Sequence, residues 1–178
     1  MKAFKFICIL FALTVLFSCD NYPDMDIQHT PVFATSGDFR VRITDLSTNT
    51  LVTNTMYIIS TYNTTDNKLD SMWIRTTSNM AGGLNTLRGK ISCNVNDLTF
   101  KVENGKDISP THLNPPQAAR IFTISEGKIT PNAITLPSGA VVDKISFKYQ
   151  TDRVVGKTFL FEGYRRSLWP EDESFITF

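Results

Sequence analysis

The chain has 178 residues, and its 18 Lys and Arg stand against 17 Asp and Glu. That near-neutral balance excludes the basic face that nucleic-acid binding requires, because such binding is driven by neutralising phosphates. With 42% hydrophobic residues the chain can bury a substantial core.

Lys2 and Lys5 precede an apolar run from Phe6 to Phe17, and Ser18 then stands directly before Cys19. This is the layout of a bacterial lipoprotein signal, too short for a bilayer span of about 20 apolar residues. Residues 1–18 are therefore expected to be removed and Cys19 to carry covalent lipid. The Phe at the second lipobox place, Phe17, departs from the usual small residue. A membrane anchor of several acyl chains holds stably where one chain holds only marginally. Removal of the signal takes two cations and Cys8 with it, so Cys93 is left without a disulfide partner.

Residues 19–36, including the stretch DNYPDMDIQHTPVFATS from Asp20 to Ser36, are polar, are broken by Pro23 and Pro31, and lack any periodicity. They read as a lipidated flexible tether. Asp20, Asp24 and Asp26 close to the anchor point to the outer membrane, on either its periplasmic or its outer surface. Residues 37–178 are expected to form one domain.

From Gly37 onward the pattern has period two, the signature of strands. Phe39, Val41 and Ile43 alternate with Arg40, Arg42 and Thr44, and Met56, Ile58, Ser60 and Tyr62 with Tyr57, Ile59 and Thr61. Met72 and Ile74 oppose Trp73 and Arg75, and Leu87 to Val95 alternates again. Further strands are predicted at Leu98 to Val102, Ile121 to Ile124, Lys128 to Leu136, Val142 to Tyr149 and Thr158 to Arg165. Turns are predicted at Asn63 to Lys68, Ala81-Gly82-Gly83, Asn104-Gly105, Glu126-Gly127 and Pro137-Ser138-Gly139. Eight or nine short strands joined by hairpins make the chain all-β. The first expectation is a single antiparallel up-and-down β-barrel of about eight strands, and the alternative is a two-sheet sandwich. Only Asp107 to Ala119 interrupts the rhythm; Pro110, Pro115 and Pro116 make it a long loop.

Chemistry is sparse. No Gly-x-Ser-x-Gly elbow exposes a serine. His29 lies in the tether and His112 in the Pro-rich loop beside Ser109 and Thr111, so His112 reads as an exposed loop residue rather than a general base. No zinc set is present, and Asp66 with Asp70, the nearest spaced carboxylates, do not form a calcium loop; no metal and no cofactor are predicted. Glu171, Asp172 and Glu173 read as a solvated acidic tail. Cys93 falls on the apolar side of its strand as a small hydrophobe. The candidate ligand contacts are Trp73, Tyr164 and Arg165. Trp73 faces away from Met72 and Ile74, and Arg165 near a strand end could lie across the barrel mouth and satisfy carbonyls with its fork of donors.

Four stretches carry a resemblance: YIISTYNTTDNKLDSMWI from Tyr57, KISCNVNDLTF from Lys90, GKITPNAITLPSG from Gly127, and FEGYRR from Phe161 with the acidic residues Glu171 to Glu173 behind it. They resemble the lipid-binding putative hydrolase family of bacterial lipoproteins. The resemblance implies a calycin-like, lipocalin-type barrel and names hydrolysis without supplying an active site. The expectation is an envelope-anchored monomer whose barrel binds a lipid or other hydrophobic small molecule. The alternatives are a surface interaction module with a filled barrel and no ligand, and a hydrolase.

Overall fold

The structure, a computed structural model, describes residues 28–173 and Phe175. Cys19, the signal and most of the tether lie outside the described residues. Nine strands follow one another: β1 (Gly37–Asp45), β2 (Thr50–Leu51), β3 (Tyr57–Asn63), β4 (Ser71–Thr76), β5 (Arg88–Asn94), β6 (Thr99–Asp107), β7 (Arg120–Thr135), β8 (Val141–Thr151) and β9 (Phe159–Arg165). Every neighbouring pair is antiparallel, and β1 also pairs with β9 from Phe39↔Arg165 to Asp45↔Phe159. Eight strands thus close into a barrel without a free edge, and β2 lies outside it against β1. The sandwich alternative is excluded by that closing ladder.

Alternation along the strands sends one set of side chains inward. Phe39, Val41 and Ile43, Ile59, Met72 and Ile74, Phe122 and Ile124, Ile145 and Phe147, and Phe159 and Phe161 all join one contiguous buried cluster. Rings from neighbouring and facing strands meet within it: Phe147 stacks on Phe161 with centroids 4.8 Å apart, while Tyr149 meets Phe161 edge-on at 5.4 Å and Phe100 meets Phe147 at 5.6 Å. Glycine makes room for these rings. A Cβ on Gly89 would stand 2.4 Å from two ring carbons of Phe122. Gly163 serves closure itself: a Cβ there would meet the carbonyl of Arg40 at 1.9 Å, where β9 lies against β1.

Both mouths are covered. At one end a 3-10 turn, Phe33–Thr35, follows fully buried Val32, and Thr61 donates its hydroxyl to the Thr35 carbonyl at 2.7 Å. Residues 32–36, expected in the tether, are therefore a plug, because Val32 and Thr35 find apolar cover only on the barrel. At the other end Met80, Leu84 and Leu87 from the β4–β5 connection enter the core, and Ala81 N–H donates to the Tyr57 hydroxyl at 3.0 Å.

Two predicted turns are bulges. Asn104-Gly105 lies within β6 and Glu126-Gly127 within β7, at register shifts, with Asn104 at φ 52° and Glu126 at φ 54°. The strands predicted on either side of Glu126 are consequently one 16-residue strand, and the β6–β7 connection is the Pro-rich loop.

Candidate functional site

Arg165 spans the plugged end. Its Nε donates to Asp143 Oδ2 at 3.0 Å, a terminal nitrogen donates to the Ser36 carbonyl, and its guanidinium lies 5.0 Å from the Phe39 ring centre. The fork is committed to the plug and to its neighbour β8, so Arg165 closes the barrel.

Tyr164 points the other way. It is fully buried on the outside of the barrel with Ile134 and Leu136, and Met56, Val142 and Phe175 pack against them. Its hydroxyl proton is shared between the carbonyls of Asp172 at 2.8 Å and Phe175 at 2.9 Å. Burial pushes its phenol above the ordinary value.

The acidic residues after it are partners, not a solvated tail. Asp172 is buried and accepts hydrogen bonds from Ser138 N–H at 2.9 Å, Ser138 Oγ at 2.7 Å and Ser167 Oγ. Burial raises its carboxyl, but those donors outweigh burial and hold it below the usual carboxylate value. Glu173 bridges Arg40 and Arg166, with Arg166 Nη2 at 2.7 Å. GYRR and the acidic cluster together form a clasp that fastens the C-terminal segment over the outer wall.

Ser109 and His112 share a 3-10 turn, Ser109–His112, but no described hydrogen bond joins them. Ser109 Oγ instead lies 2.7 Å from Asp107 Oδ1 and 3.0 Å from the Thr86 carbonyl. Asp107 is buried, also accepts from Arg88 N–H at 2.9 Å, and pairs with Arg153 at 3.0 Å. This cluster fixes the Pro-rich loop. Among the described residues no three His, Cys, Asp or Glu side chains converge as metal ligands; Asp66 pairs with Lys90 at 3.7 Å.

Trp73 is half-buried on the outer face, between Tyr62 of β3 and Lys90 of β5 in the cross-strand register. Cys93 faces the core, with its thiol 3.6 Å from the Leu69 carbonyl. Burial raises its pKa, which makes it a poor nucleophile.

A groove with an apolar component lies in the barrel wall, where the sheet is least regular. Only three residue pairs join β5 to β6, from Ser92↔Lys101 to Asn94↔Thr99, and β6 meets β7 through two register shifts. The irregular pairing leaves a groove of about 500 Å³, lined by Cys93, Phe100 and Gly127, by the polar Ser92, Asn94 and Thr99, and by the charged Asp70, Lys101 and Glu126. A hollow of about 420 Å³ adjoins it towards Lys68 and Lys90, and one of about 580 Å³ towards Glu103 and Gln150; Ser92 lines all three. The groove falls within the usual size range of small-molecule sites.

Sequence reasoning picked out Cys93 as a core residue but missed the trough. Its signal was present in KISCNVNDLTF, which supplies Ser92, Cys93, Asn94, Thr99 and Phe100, and in Glu126-Gly127, which forms the bulge.

No curated protein matches the chain. A family model described as lipid-binding putative hydrolase matches residues 24–170, a span that contains all nine strands and the plug. With the closed barrel in place over the same span, the chain belongs to the lipid-binding putative hydrolase family.

Proposed function

We propose that this protein is an envelope lipoprotein, anchored to the outer membrane through Cys19, that acts as a monomer and binds a lipid or other hydrophobic small molecule in the outer trough rather than in the lumen. The observation that carries this reading is the groove of about 500 Å³ in which Cys93 and Phe100, both members of the core, meet a polar rim. An amphiphile fits such a lining: its apolar part lies along Cys93 and Phe100, and its polar part meets Ser92, Lys101 and Glu126. Membership of a lipid-binding family supports the same class of ligand.

The test is native mass spectrometry of the chain from Gln28 onward, which holds the barrel and both plugs, purified without detergent and then extracted with organic solvent. A stoichiometric lipid is expected. Ser92→Trp places a bulky ring from an exposed position into all three hollows and should abolish occupancy. Lipid retained in full by that variant would rule out the trough. Mass spectrometry of the chain purified from membranes should find residues 1–18 removed and a diacylglycerol on Cys19, and an unmodified Cys19 thiol would sink the anchor.

A second reading is supported by the filled lumen: a surface module that presents its loops to a partner and carries no ligand. A clean apo mass, unchanged after incubation with a lipid extract, would favour it. Hydrolysis finds least support, since Ser109 is engaged by Asp107 and the Thr86 carbonyl while His112 stands exposed.

A further inference from the structure

Most cations of this barrel have a carboxylate. Arg40 and Arg166 share Glu173, Lys144 and Arg42 share Glu162, and Lys148, Lys157, Arg153 and Arg165 pair with Glu126, Asp45, Asp107 and Asp143. The outer face of β4, β5 and β6 departs from that rule. Arg75 stands directly across from Arg88 in the ladder, and both are exposed without an ion pair among the described residues. Like charges directly opposite on adjacent strands destabilise a sheet. Ile108 N–H donates to the Arg88 carbonyl at 2.8 Å, exposed Lys106 lies two residues before it on β6, and Lys101 stands across from Ser92. Of the cations here, only Lys90 has a described carboxylate, Asp66 at 3.7 Å with both side chains in solvent.

Two aromatic side chains sit in the middle of this charge. Tyr62 and Trp73 are cross-strand partners, both half-buried, and Arg75 lies over the Tyr62 ring at 5.6 Å. Half-buried Trp and Tyr framed by Lys and Arg match the chemistry of a membrane–water interface, where amphipathic rings sit at headgroup depth and cations meet anionic phosphates.

We propose that the outer face of β4–β6, centred on Trp73 and framed by Arg75, Arg88, Lys90 and Lys106, docks on the anionic headgroups of a lipid bilayer. This inference does not depend on a ligand in the trough. The outer wall presents its uncompensated charges to several headgroups at once, and the two rings enter the interface between them. Anionic lipid relieves the Arg75–Arg88 repulsion that the bare sheet carries.

The full chain is the sample for the test. Because its apolar N-terminal segment would bring it to any vesicle, capture by vesicles alone does not report on this face, so the readout is the environment of Trp73. The chain has two tryptophans, and Trp169→Phe leaves Trp73 as the single indole. The protein is reconstituted in vesicles of phosphatidylcholine alone or mixed with phosphatidylglycerol, each containing lipid with a nitroxide near the headgroup. A blue shift and quenching of Trp73 are expected only with phosphatidylglycerol, and both should be lost at about 0.5 M salt, where the Debye length shrinks to a few ångströms. Arg75→Glu with Arg88→Glu should lower the docked-to-free ratio about tenfold or more, while Arg75→Lys with Arg88→Lys should retain docking and so show that charge is what matters. Equal quenching in both vesicle types, no quenching in either, or quenching that survives charge reversal would overturn the proposal. So would an emission change caused by soluble dextran sulfate without vesicle quenching, which would assign the face to a polyanion instead.

Discussion

The ring of Phe122 occupies the space in which a Cβ on Gly89 would stand, with Cε1 and Cζ each 2.4 Å from that position. The same ring closes on Gly105, where the corresponding distances are 3.0 and 3.1 Å. Two glycines on neighbouring strands thus receive one aromatic, which packs the barrel interior where β5, β6 and β7 meet.

Gly89→Ala forces the Phe122 ring to move within a filled core, and overpacking of this kind costs about 1–3 kcal/mol. Chemical denaturation should show that loss. Phe122→Leu in the same chain should recover part of it, because the two changes share one volume and are not additive. A neutral Gly89→Ala would mean that the ring is not held there.

Tyr164→Phe keeps the packing against Ile134 and Leu136 but removes the hydroxyl that donates to the carbonyls of Asp172 and Phe175. A loss of about 1 kcal/mol is expected, with faster amide exchange confined to the segment after Arg166. Exchange unchanged in that segment would contradict the clasp.

Asp107→Asn removes the charge that faces Arg153 and weakens acceptance from Arg88 N–H, Ser109 N–H and Ser109 Oγ. Breaking one side of a buried pair costs about 3 kcal/mol or more. Limited proteolysis should then cut within residues 108–119, while a loop as resistant as in the parent chain would show that the pair is dispensable.

Stability should decline at both ends of the pH scale. Lys157 Nζ, 2.6 Å from Asp45, together with the Ser47 hydroxyl and N–H, holds the Asp45 carboxyl at about 2, and Asp172 and Glu173 are lowered as well. In the unfolded chain these groups titrate near 4, as carboxylates ordinarily do. On acidification the unfolded state binds protons first, so the stabilisation is complete above about pH 4 and is lost towards about pH 2. Burial raises Tyr149 and Tyr164 above the ordinary tyrosine value, so on the alkaline side the unfolded state releases protons first and stability falls above about pH 10. Urea midpoints measured across pH should trace both limbs, and Lys157→Met should make the acid limb shallower. A midpoint that stays constant from pH 5 down to pH 2 would contradict the assignment.

The strands were legible because each has one buried face, and burial of one face enforces period two. The bulges were not, since Asn104 and Glu126 adopt the left-handed backbone that a tight turn also needs, and a dipeptide looks alike in either setting. The acidic cluster was misread for another reason. Two of its partners, Arg40 and Ser138, lie 133 and 34 residues away, and the nearer ones, Arg166 and Ser167, meet Glu173 and Asp172 only once the segment folds back over the wall. Whether the lumen is full could not be read from a count of phenylalanines, because it depends on register: Phe122 fits only where Gly89 and Gly105 stand across from it. Trp73 was correctly placed on the outer face by alternation with Met72 and Ile74. Its cationic surroundings emerged only when the ladder set Arg75 against Arg88.

Closure of β1 on β9 has a topological result. Gly37 begins the first strand and Arg165 ends the last, and a Cβ on Gly37 would touch the Arg165 guanidinium, so the chain enters and leaves the barrel at neighbouring points of the same rim. The order in which the strands are synthesised is therefore separable from the order in which they pair. A circularly permuted chain, joined across that rim and opened within residues 108–119, would keep every ladder of the barrel intact.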